Sequence, residues 1–504
     1  MTTSTPSSLK HKCTISERSF EISPAEVHFY QTLGLPLPTL CPAERHKRRI
    51  SFRNFTSLYK RKCDATGQNI ISMYHQDQKF PVYQKDFWWT DQWSAEDYGL
   101  DYNCEESFLK QYARLASQVP RSSLMAIQCE DCDYVNMANS SARCHLVFGC
   151  VGNEDCIGGH IVWNSKDCFE NLYLYRCELC SNSIDLYCCY DLHWCQDCIN
   201  CQCSMFLFNC QNCSDCFGCS GLQNAHYCFF NEQLTKEAYS ARLAEYYPSD
   251  TVRLAQLLRA QSMQIDNTSR DEIITGTRNE SVSGRHIFDS GYVNNSSDIK
   301  RSRDMVHCQT VQDGQDCIDL SFSGGPIKFC NECLTVSNCE RVHYSHLLSN
   351  CSDSFYSEFC HSSSFLFGCN GLKNKSYCIL NRQYSADEYE AVKKKIVESM
   401  IRNGEWGEFF PAEMSPFTYQ ESIASEYYPL KNKSSGEDKV SFEVRQALPF
   451  DETAGIYTCQ LSGERYRVTK QEKIFYERKQ FPIPAIAPLL RHKDRMAKRR
   501  NLQL

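Results

Sequence analysis

The apolar and small positions in the middle of the chain recur with a period of three. Between Cys129 and Cys228 there are 19 cysteines, and 17 of them, all except Cys188 and Cys203, fall on every third residue number. Gly, Val and Leu occupy most of the other positions in this phase. A period of three is neither the 2.0 of a strand nor the 3.6 of a helix. It predicts a backbone that turns a corner every few residues, or three-fold extended structure, with these side chains inside.

A second spacing of 21 residues lies on top of the triplets. Cys156, Cys177, Cys198 and Cys219 are separated by 21 residues, and other cysteine pairs keep the same distance. A fixed repeat near twenty residues that is rich in Asn, Asp, Ser and aromatic residues is typical of a parallel β-solenoid. Coils stacked about 4.8 Å apart would align the thiols in columns.

The chain also contains two longer duplications. Residues 217–233 return as residues 367–383, and each copy runs into a segment that predicts helix, near 235–262 and 385–402. The second of these begins at a capping box, Ser385 to Glu388. At the ends, residues 13–53 match residues 459–499 without a gap at 13 positions. Each end copy reads as Cys-x-x-Ser, a strand, a short helix, a Pro-rich crossing and a basic helix.

The chain contains 33 cysteines, although its first residues do not predict export to an oxidising compartment. The first ten residues are rich in Ser and Thr and lack the apolar core of a secretory signal, so we expect a reducing cytoplasm in which thiols are free, metal-bound or redox-active. No apolar run approaches the length of a membrane span. Residues 1–63 carry a net charge of +7 and residues 459–504 carry +8, which leaves −22 for the middle of a chain whose total is −7. Basic ends on an acidic body predict contacts with an acidic partner or ends that fold back on the body.

Several stretches of the sequence resemble one family of uncharacterised, cysteine-rich hypothetical proteins found in small-genome uncultivated bacteria and some large viruses. The stretches that carry the resemblance are 58–67, 82–99, 153–156, 164–168, 377–381, 407–410 and 415–417. The resemblance implies zinc-ribbon-like end modules and a repetitive, Cys-rich middle. It implies no activity.

The fold that follows is mainly β, with two copies of a parallel β-solenoid-like arc built from 21-residue coils, a few helices and two small, degenerate zinc-ribbon-like end modules. The expected segments are a basic end module at 1–62, an aromatic-rich capping region at 63–128, a first arc at 129–234, a helical segment at 235–262, a second arc at 263–384, a helix and return at 385–430, a linker at 431–458 and a second end module at 459–504.

The family's end modules carry a Cys-x-x-Cys knuckle followed by Cys-Pro-x-Cys-Arg, a zinc ligand set. Here Cys13 and Cys41 are kept, while Ser16 and Glu44 stand at the other two positions. The C-terminal copy keeps Cys459 alone. A structural zinc site takes four N or S ligands, so zinc in either module requires a further residue. Cys63 or a nearby His is the candidate in the N-terminal module.

Cys-x-x-Cys pairs inside the repeats are a second set of metal candidates. These are Cys129 with Cys132, Cys177 with Cys180, and Cys330 with Cys333. Facing thiolates at this spacing chelate zinc or iron-sulfur clusters. The alternative is structural, because buried cysteine behaves as a small hydrophobe and a narrow coil needs small inward residues. Disulfides between stacked coils are a third option, since the spacing of about 4.8 Å between coils lies within the Cα–Cα range of disulfides.

The two basic helices are candidate phosphate-binding elements for RNA, DNA or another acidic partner. The candidate contact residues are Arg45, Lys47, Arg48, Arg49, Arg491, Lys493, Arg495 and Arg499. The competing interpretation is a solvated helix face or a clamp on the acidic body.

Two further features have structural alternatives. The aromatic block at 87–98 offers stacking surfaces for bases or sugars, but such a cluster more often closes a core or caps a solenoid. Asp191, His193 and Cys195 are close in sequence, but inside a repeat their side chains point in different directions, so a chance arrangement is favoured over a triad.

Taken together, these features favour a non-enzymatic structural or interaction scaffold whose basic ends engage an acidic partner such as RNA, with self-association through the solenoid ends as an option. Zinc is compatible with this interpretation but not required by it. Two alternatives stay open: a thiol-rich metal-binding or redox protein, and a β-solenoid enzyme of unknown reaction.

Overall fold

The computed structural model describes residues 8–267, 278–328, 331–337, 339–340, 342–430 and 455–499. For 266–267, 323–328, 335–337 and 339–340 it describes the backbone only. Most of the expected linker at 431–458 lies outside these residues, as does Cys330. The chain divides into two units: unit 1 contains residues 1–123, 275–429 and 501–504, and unit 2 contains residues 124–274 and 430–500.

Unit 1 begins with two hairpins and four helices. The strands are β1 (Leu9–Lys12), β2 (Ser19–Ile22), β3 (Tyr59–Lys62), β4 (Asn69–Ser72), β5 (Val82–Tyr83) and β6 (Arg121–Ser122), and the helices are α1 (Pro24–Thr32), α2 (Pro42–Ile50), α3 (Lys85–Trp88) and α4 (Phe108–Ala116). A 3-10 turn spans Ala95–Tyr98. Strands β1 and β2 pair antiparallel, as do β3 and β4.

Unit 2 contains the first Cys-rich region, arc 1. Its strands are β7 (Ala126–Ile127), β8 (Asn136–Asn139), β9 (Phe148–Val151), β10 (His160–Trp163), β11 (Leu172–Tyr175), β12 (Ile184–Tyr187), β13 (Tyr190–His193), β14 (Gln196–Ile199), β15 (Gln202–Met205), β16 (Cys228–Phe229) and β17 (Glu232–Gln233). The predicted helix near 235–262 is two helices, α5 (Lys236–Tyr246) and α6 (Thr251–Asn267). Pro248 lies between them and lacks the N–H that would continue the first helix.

The second Cys-rich region, arc 2, belongs to unit 1. Its strands are β18 (Glu280–Phe288), β19 (Gly291–Lys300), β20 (Arg303–Val306), β21 (Gln309–Ile318), β22 (Ser321–Lys328), β23 (Leu334–Ser337), β24 (Cys339–Glu340), β25 (His346–Ser349), β26 (Ser352–Phe355), β27 (Ser364–Phe367), β28 (Ser376–Ile379) and β29 (Arg382–Gln383). Helices α7 (Ala386–Asn403) and α8 (Ala424–Tyr427) follow, with a 3-10 turn at Ala412–Met414 between them. The capping box predicted at Ser385 and Glu388 is confirmed.

The C-terminal module of unit 2 repeats the pattern of the N-terminus. It consists of a hairpin, β30 (Ile456–Thr458) and β31 (Arg465–Arg467), followed by α9 (Lys470–Lys479) and α10 (Pro488–Lys498). Overall, 24% of the chain is helical and 32% is strand, so the fold is mixed and fits the expected mainly β class only loosely.

The repeat length of arc 1 is twelve residues, and the expected 21-residue coil is wrong. In its seven-stranded parallel sheet His160 lies opposite Leu172, Leu172 opposite Ile184, and Ile184 opposite Gln196, each twelve residues on. Twelve and 21 are both multiples of three, so cysteines separated by 21 keep the triplet phase without lying in the same column. We call each twelve-residue turn of this stack a rung.

A left-handed corner every three residues gives each rung four short sides. From Gln128 to Phe230 every third residue has a φ between 48° and 69°. L-residues other than Asn and Asp enter this region at a cost, because Cβ approaches the carbonyl oxygen. Many corners of arc 1 are accordingly Asn or Asp, such as Asn164, Asp167 and Asn200. This explains why the repeats are rich in these two residues.

The residue after each corner points into the rung. The core of arc 1 contains in-phase residues such as Val162, Cys168, Leu174 and Cys180, all at most 2% exposed. The predicted lattice of inward side chains is therefore confirmed for arc 1. In arc 2 the register shifts by one residue between Val282 and Gly284, and again where Gln312 and Gly314 pair with Gly324 and Ile327. The left-handed corners from His286 to Phe322 are therefore displaced by one residue from the phase of Ser281 and Glu332.

Each arc ends in a tight antiparallel return, with Cys228 opposite Gln233 in arc 1 and Cys378 opposite Gln383 in arc 2. Within the described residues, none of the helices combines the length and the apolar character needed to cross a membrane.

Candidate functional site

The thiol of Cys13 lies in a turn between β1 and β2 that surrounds it with hydrogen-bond donors. The N–H of Cys13 donates to Arg18 O at 2.9 Å, and the N–H of Glu17 donates to Cys13 O at 3.0 Å, which closes the turn. The Ser16 hydroxyl and the backbone N–H groups of Ile15, Ser16 and Cys41 all act on the Cys13 sulfur in the direction that favours its thiolate. We call this arrangement a knuckle.

The same knuckle occurs twice more. At Cys63 the sulfur accepts from the N–H of Gln84 at 3.2 Å and from the Thr66 hydroxyl. At Cys459 it accepts from the N–H of Ala487 at 3.3 Å and from the Ser462 hydroxyl.

The copy at Cys63 was not predicted from the sequence. Its signal was present, since residues 63–67 and 459–463 both read Cys-x-x-Ser/Thr-Gly. The glycines, Gly67 and Gly463, have φ values of +71° and +72°, which this turn requires. The N-terminal copy holds Glu17 there, at φ 58°.

These donors favour the thiolate. Burial raises the pKa of the Cys13 thiol, but the bonds from Ser16 and the three backbone N–H groups outweigh it and lower that pKa to about 7. The pKa values of Cys63 and Cys459 are lowered for the same reason, against the opposing effect of burial. Convergent N–H groups of this kind are typical of anion-binding turns.

The knuckles do not supply a zinc ligand set. Among the described residues, no group of three or more His, Cys, Asp or Glu ligand atoms within 4.8 Å of one another includes Cys13, Cys41 or Cys63. Ser16 and Glu44 stand where the family pattern has cysteine, and the Ser16 oxygen lies 3.7 Å from the Cys41 sulfur. The hydroxyl in each knuckle therefore makes a hydrogen bond where a second sulfur would bind metal, and a tetrahedral zinc ion does not fit.

The other metal candidates lie on the rung lattice. Cys177, Cys180 and Cys333 are buried, while Cys129 and Cys132 at the start of arc 1 are partly exposed. None of the five belongs to a described group of three or more ligand atoms, and Cys330 lies outside the described residues.

Inward cysteines hydrogen bond to backbone carbonyl groups two residues before them and nine residues after them. The Cys156 thiol donates to Glu154 O and to Ser165 O, both at 3.4 Å. Inward serines do the same and also join successive rungs: Ser183 donates to Ser181 O at 2.8 Å and accepts from the N–H of Cys195, twelve residues on, at 3.1 Å. Small polar side chains thus satisfy backbone groups that the ladder leaves pointing inward.

Burial makes several of the inward thiols weak acids. It raises the pKa of Cys351 to about 11 and that of Cys378 to about 12. In arc 1, burial also raises the pKa of Cys150. A thiol that stays protonated at neutral pH is a poor nucleophile and a poor metal ligand, so these three cysteines act as packing residues.

The basic helix α2 is bound to arc 2. Arg45 Nε lies 2.8 Å from a carboxylate oxygen of Asp319, and Arg49 Nη1 lies 3.3 Å from the other. All three side chains are fully buried. Arg48 bridges Glu332 at 2.5 Å and Glu408 at 2.8 Å. Asp319 occupies a left-handed corner, at φ 61°.

The C-terminal helix α10 repeats this arrangement on arc 1. Arg491 and Arg495 reach the two carboxylate oxygens of Glu170 at 3.2 and 2.8 Å, and Glu170 is also a left-handed corner, at φ 56°. Arg499 lies 2.9 Å from Asp185, and its guanidinium stacks on Tyr173. We call the two sets of contacts the arginine clamps.

The clamps correct the predicted phosphate contacts. Arg45, Arg48, Arg49, Arg491, Arg495 and Arg499 are paired with carboxylates and are buried or nearly so, which leaves no surface for a phosphate. Of the eight candidates, Lys493 is exposed, and Lys47 is partly exposed beside Glu44 and Tyr419.

The exposed positive charge of the end modules lies on the hairpins instead. Three pairs of basic residues, two positions apart on one strand, are exposed. They are Lys10 with Lys12 on β1, Lys60 with Lys62 on β3, and Arg465 with Arg467 on β31. Residues two apart share a face of a strand and lie about 6.7 Å from each other.

The Asp191, His193 and Cys195 arrangement is structural. Cys195 points inward and its thiol donates to His193 O. His193 instead links Asp191 at 3.0 Å with the Ser181 hydroxyl at 2.8 Å, and Ser181 and His193 are at most 1% exposed. Lys479 of α9 pairs with Asp191. With no exposed nucleophile, this series fastens α9 to arc 1.

The aromatic block packs on a flank of arc 2. Trp88 is 1% exposed and its Nε1 donates to Pro120 O at 2.9 Å. The Lys373 ammonium of arc 2 lies 4.5 Å from the ring centre of Trp88 and 4.9 Å from that of Trp93. The block covers rung side chains.

Comparison with known proteins adds no family. No protein-family model matches the chain, and no curated protein is significantly similar to it. Among solved structures, one protein described as a putative acetyltransferase from Desulfovibrio desulfuricans G20 aligns with 45% of this chain and 62% of its own, at 5% identity and a TM-score of 0.10. A score this low carries no argument about fold or activity.

Proposed function

We propose that the protein is a non-enzymatic scaffold, a pair of β-solenoid arcs that each hold a clamped end module, and that its three basic hairpins, β1–β2, β3–β4 and β30–β31, bind an acidic partner. The observation that carries this proposal is that the two kinds of basic residue differ in their surroundings. The helix arginines form ion pairs with buried carboxylates, whereas the hairpin lysines and arginines are exposed.

The clamps favour a rigid scaffold over a mobile arm. Separating a guanidinium from a carboxylate in a buried ion pair costs free energy, because it leaves unpaired charges in the protein interior. The aromatic contacts act in the same direction, since Phe475 of α9 stacks on Phe169 of arc 1 with ring centres 4.1 Å apart. The hairpin is thereby held at a fixed place on its arc.

Single-stranded nucleic acid is the acidic partner that the hairpins favour. Pairs of cations at about 6.7 Å along an exposed strand suit a chain of regularly spaced phosphates better than isolated carboxylates. Tyr59 and His75 lie beside the β3 pair with ring centres 5.0 Å apart and add an aromatic surface.

The test is binding of a fluorescent oligouridylate to the full chain across a salt series. The Lys60→Glu/Lys62→Glu variant should bind more weakly, and its slope of log affinity against log salt should be smaller by about 1.4, two phosphate contacts at about 0.7 each. Lys394→Glu/Lys395→Glu on the exposed face of α7 is the charge-matched control and should leave both quantities unchanged.

Absence of oligouridylate binding at low salt would overturn the nucleic-acid part of the proposal. Equal losses in the hairpin and control variants would show unspecific attraction and would also count against it. Binding of polyglutamate in place of RNA, with the same dependence on Lys60 and Lys62, would identify an acidic protein as the partner class and contradict the choice of RNA.

A further inference from the structure

We infer that Cys13 and Cys41 form a two-thiolate site for one soft monovalent d10 cation, Cu(I), on the N-terminal knuckle. The two residues come from different elements, the end of β1 and the N-cap of α2. Two observations place them together: the N–H of Thr14 donates to Thr39 O at 3.2 Å, and Cys13 and Cys41 belong to one buried cluster.

The Ser16 hydroxyl lies between the two cysteines. Its oxygen is 3.7 Å from the Cys41 sulfur, and it also stabilises the Cys13 thiolate. Both cysteines are buried, at 1% and 8% exposure, in a small apolar cluster with Leu40 and Phe20. Two sulfurs in an apolar setting are a soft donor pair, the kind that Cu(I) prefers.

The missing third and fourth ligands determine the metal. Zinc requires four donors, and among the described residues no further His, Cys, Asp or Glu completes a group around Cys13 and Cys41. Glu44, at the fourth position of the family pattern, lies 4.0 Å from Lys47. Cu(I) is satisfied by two thiolates in a linear arrangement, so the pair suffices for it.

Loading the site is balanced by release of two protons. Cu(I) and two thiols give a dithiolate complex with one net negative charge and two protons, and no oxidant or reductant takes part. The backbone N–H groups of Ile15 and Ser16 favour the negative charge on the Cys13 sulfur.

The other two knuckles provide internal controls. Gln84 and Ala487 take the place of Cys41 and likewise donate their N–H to the knuckle sulfur. These knuckles have one thiol each. A cysteine at either position should therefore create a second two-thiolate site.

The experiment is anaerobic titration of the full chain with Cu(I) in competition with bicinchoninate, combined with X-ray absorption of the bound copper. The wild type should retain one ion that Cys41→Ser does not, and that ion should have two sulfur neighbours. Ala487→Cys and Gln84→Cys should each retain one ion more than the wild type. Circular dichroism establishes that every variant is folded.

Equal copper retention by the wild type and Cys41→Ser would overturn the inference. So would unchanged retention by both gain-of-ligand variants, since it would show that the knuckle geometry does not select copper. Retention of zinc with the same stoichiometry and the same dependence on Cys41 would replace the copper assignment by a conventional zinc site and contradict it.

Discussion

Arg45 and Asp319 form a fully buried ion pair, with the guanidinium Nε 2.8 Å from the carboxylate, and this pair fixes α2 to a corner of arc 2. Arg491 and Glu170 repeat the relationship in the C-terminal module. The sequence match that equates Arg45 with Arg491 did not reveal either acidic partner, because Asp319 and Glu170 are remote in sequence and differ in type.

Removing one member of a clamp should be strongly destabilising. Asp319→Asn removes the carboxylate that pairs with Arg49 and leaves Arg45 only Glu26, at 3.9 Å, and we expect a loss of about 3–5 kcal/mol in the free energy of unfolding of unit 1. Urea unfolding monitored by tyrosine fluorescence measures it. Asp155→Asn, which breaks the exposed pair with Arg143, is the control and should cost at most about 1 kcal/mol. A loss of similar size in both variants would refute the clamp.

The clamp arginines could be predicted from the sequence only as one of two alternatives. Charge pattern and helical spacing identified Arg45, Arg49, Arg491 and Arg495 as a group with one role. The sequence does not distinguish an arginine that binds phosphate from one that pairs with an internal carboxylate. The burial of these arginines in the structure shows that they pair with carboxylates.

The ion pair between Asp191 and Lys479 should make the folding stability fall at acid pH. The pKa of Asp191 is about 2 in the folded protein, below its ordinary value of 3.8, because the bonds from His193 and Lys479 outweigh the opposing effect of burial. A depressed pKa gives stability that is complete above about 4 and is lost as the pH falls toward 2. Asp191→Asn should therefore flatten the pH dependence of thermal unfolding in this window.

The exposed Asp131 provides a comparison on the same arc. Asp131→Asn should leave the pH dependence of thermal unfolding below pH 4 unchanged. If Asp191→Asn keeps the full wild-type slope below pH 4, the ion pair with Lys479 does not contribute to folding.

Inward serines should tolerate cysteine and not alanine. Ser183 accepts from the N–H of Cys195 and donates to Ser181 O, so Ser183→Ala leaves a buried N–H without an acceptor and should cost about 1–3 kcal/mol. Ser183→Cys keeps a weaker acceptor and donor and should cost less. Denaturant midpoints of the two variants give the comparison, and the reverse order would contradict the proposed role of the inward polar atoms.

Thiol reactivity should divide by position. Cys104 and Cys203 are exposed and should react with iodoacetamide in the native protein, whereas inward thiols such as Cys156 and Cys360 should react only after unfolding. Peptide mass spectrometry after timed labelling measures each site. Native labelling of the inward cysteines at the rate of Cys104 would show that the rungs open readily or do not enclose the thiols.

The triplet phase and its inward side chains were predictable, but the rung length was not. The twelve-residue columns were present in the sequence, as in Cys144, Cys156, Cys168 and Cys180. They were hidden because serine, valine and leucine take the cysteine position in other rungs, and because 21 is also a multiple of three. Only the strand register separates the two spacings. In arc 2, two one-residue shifts in register hide the inward position of Cys308.

The most direct test of the account is deletion of whole rungs from arc 1. Removing residues 136–147 takes out one rung, and removing residues 136–159 takes out two, so both variants should keep the wild-type circular dichroism and a cooperative unfolding transition. Removing residues 136–156, a 21-residue segment, keeps the triplet phase but rotates the later rungs by one side, and this variant should lose cooperative unfolding. A cooperative 21-residue deletion beside unfolded 12- and 24-residue deletions would contradict the twelve-residue rung.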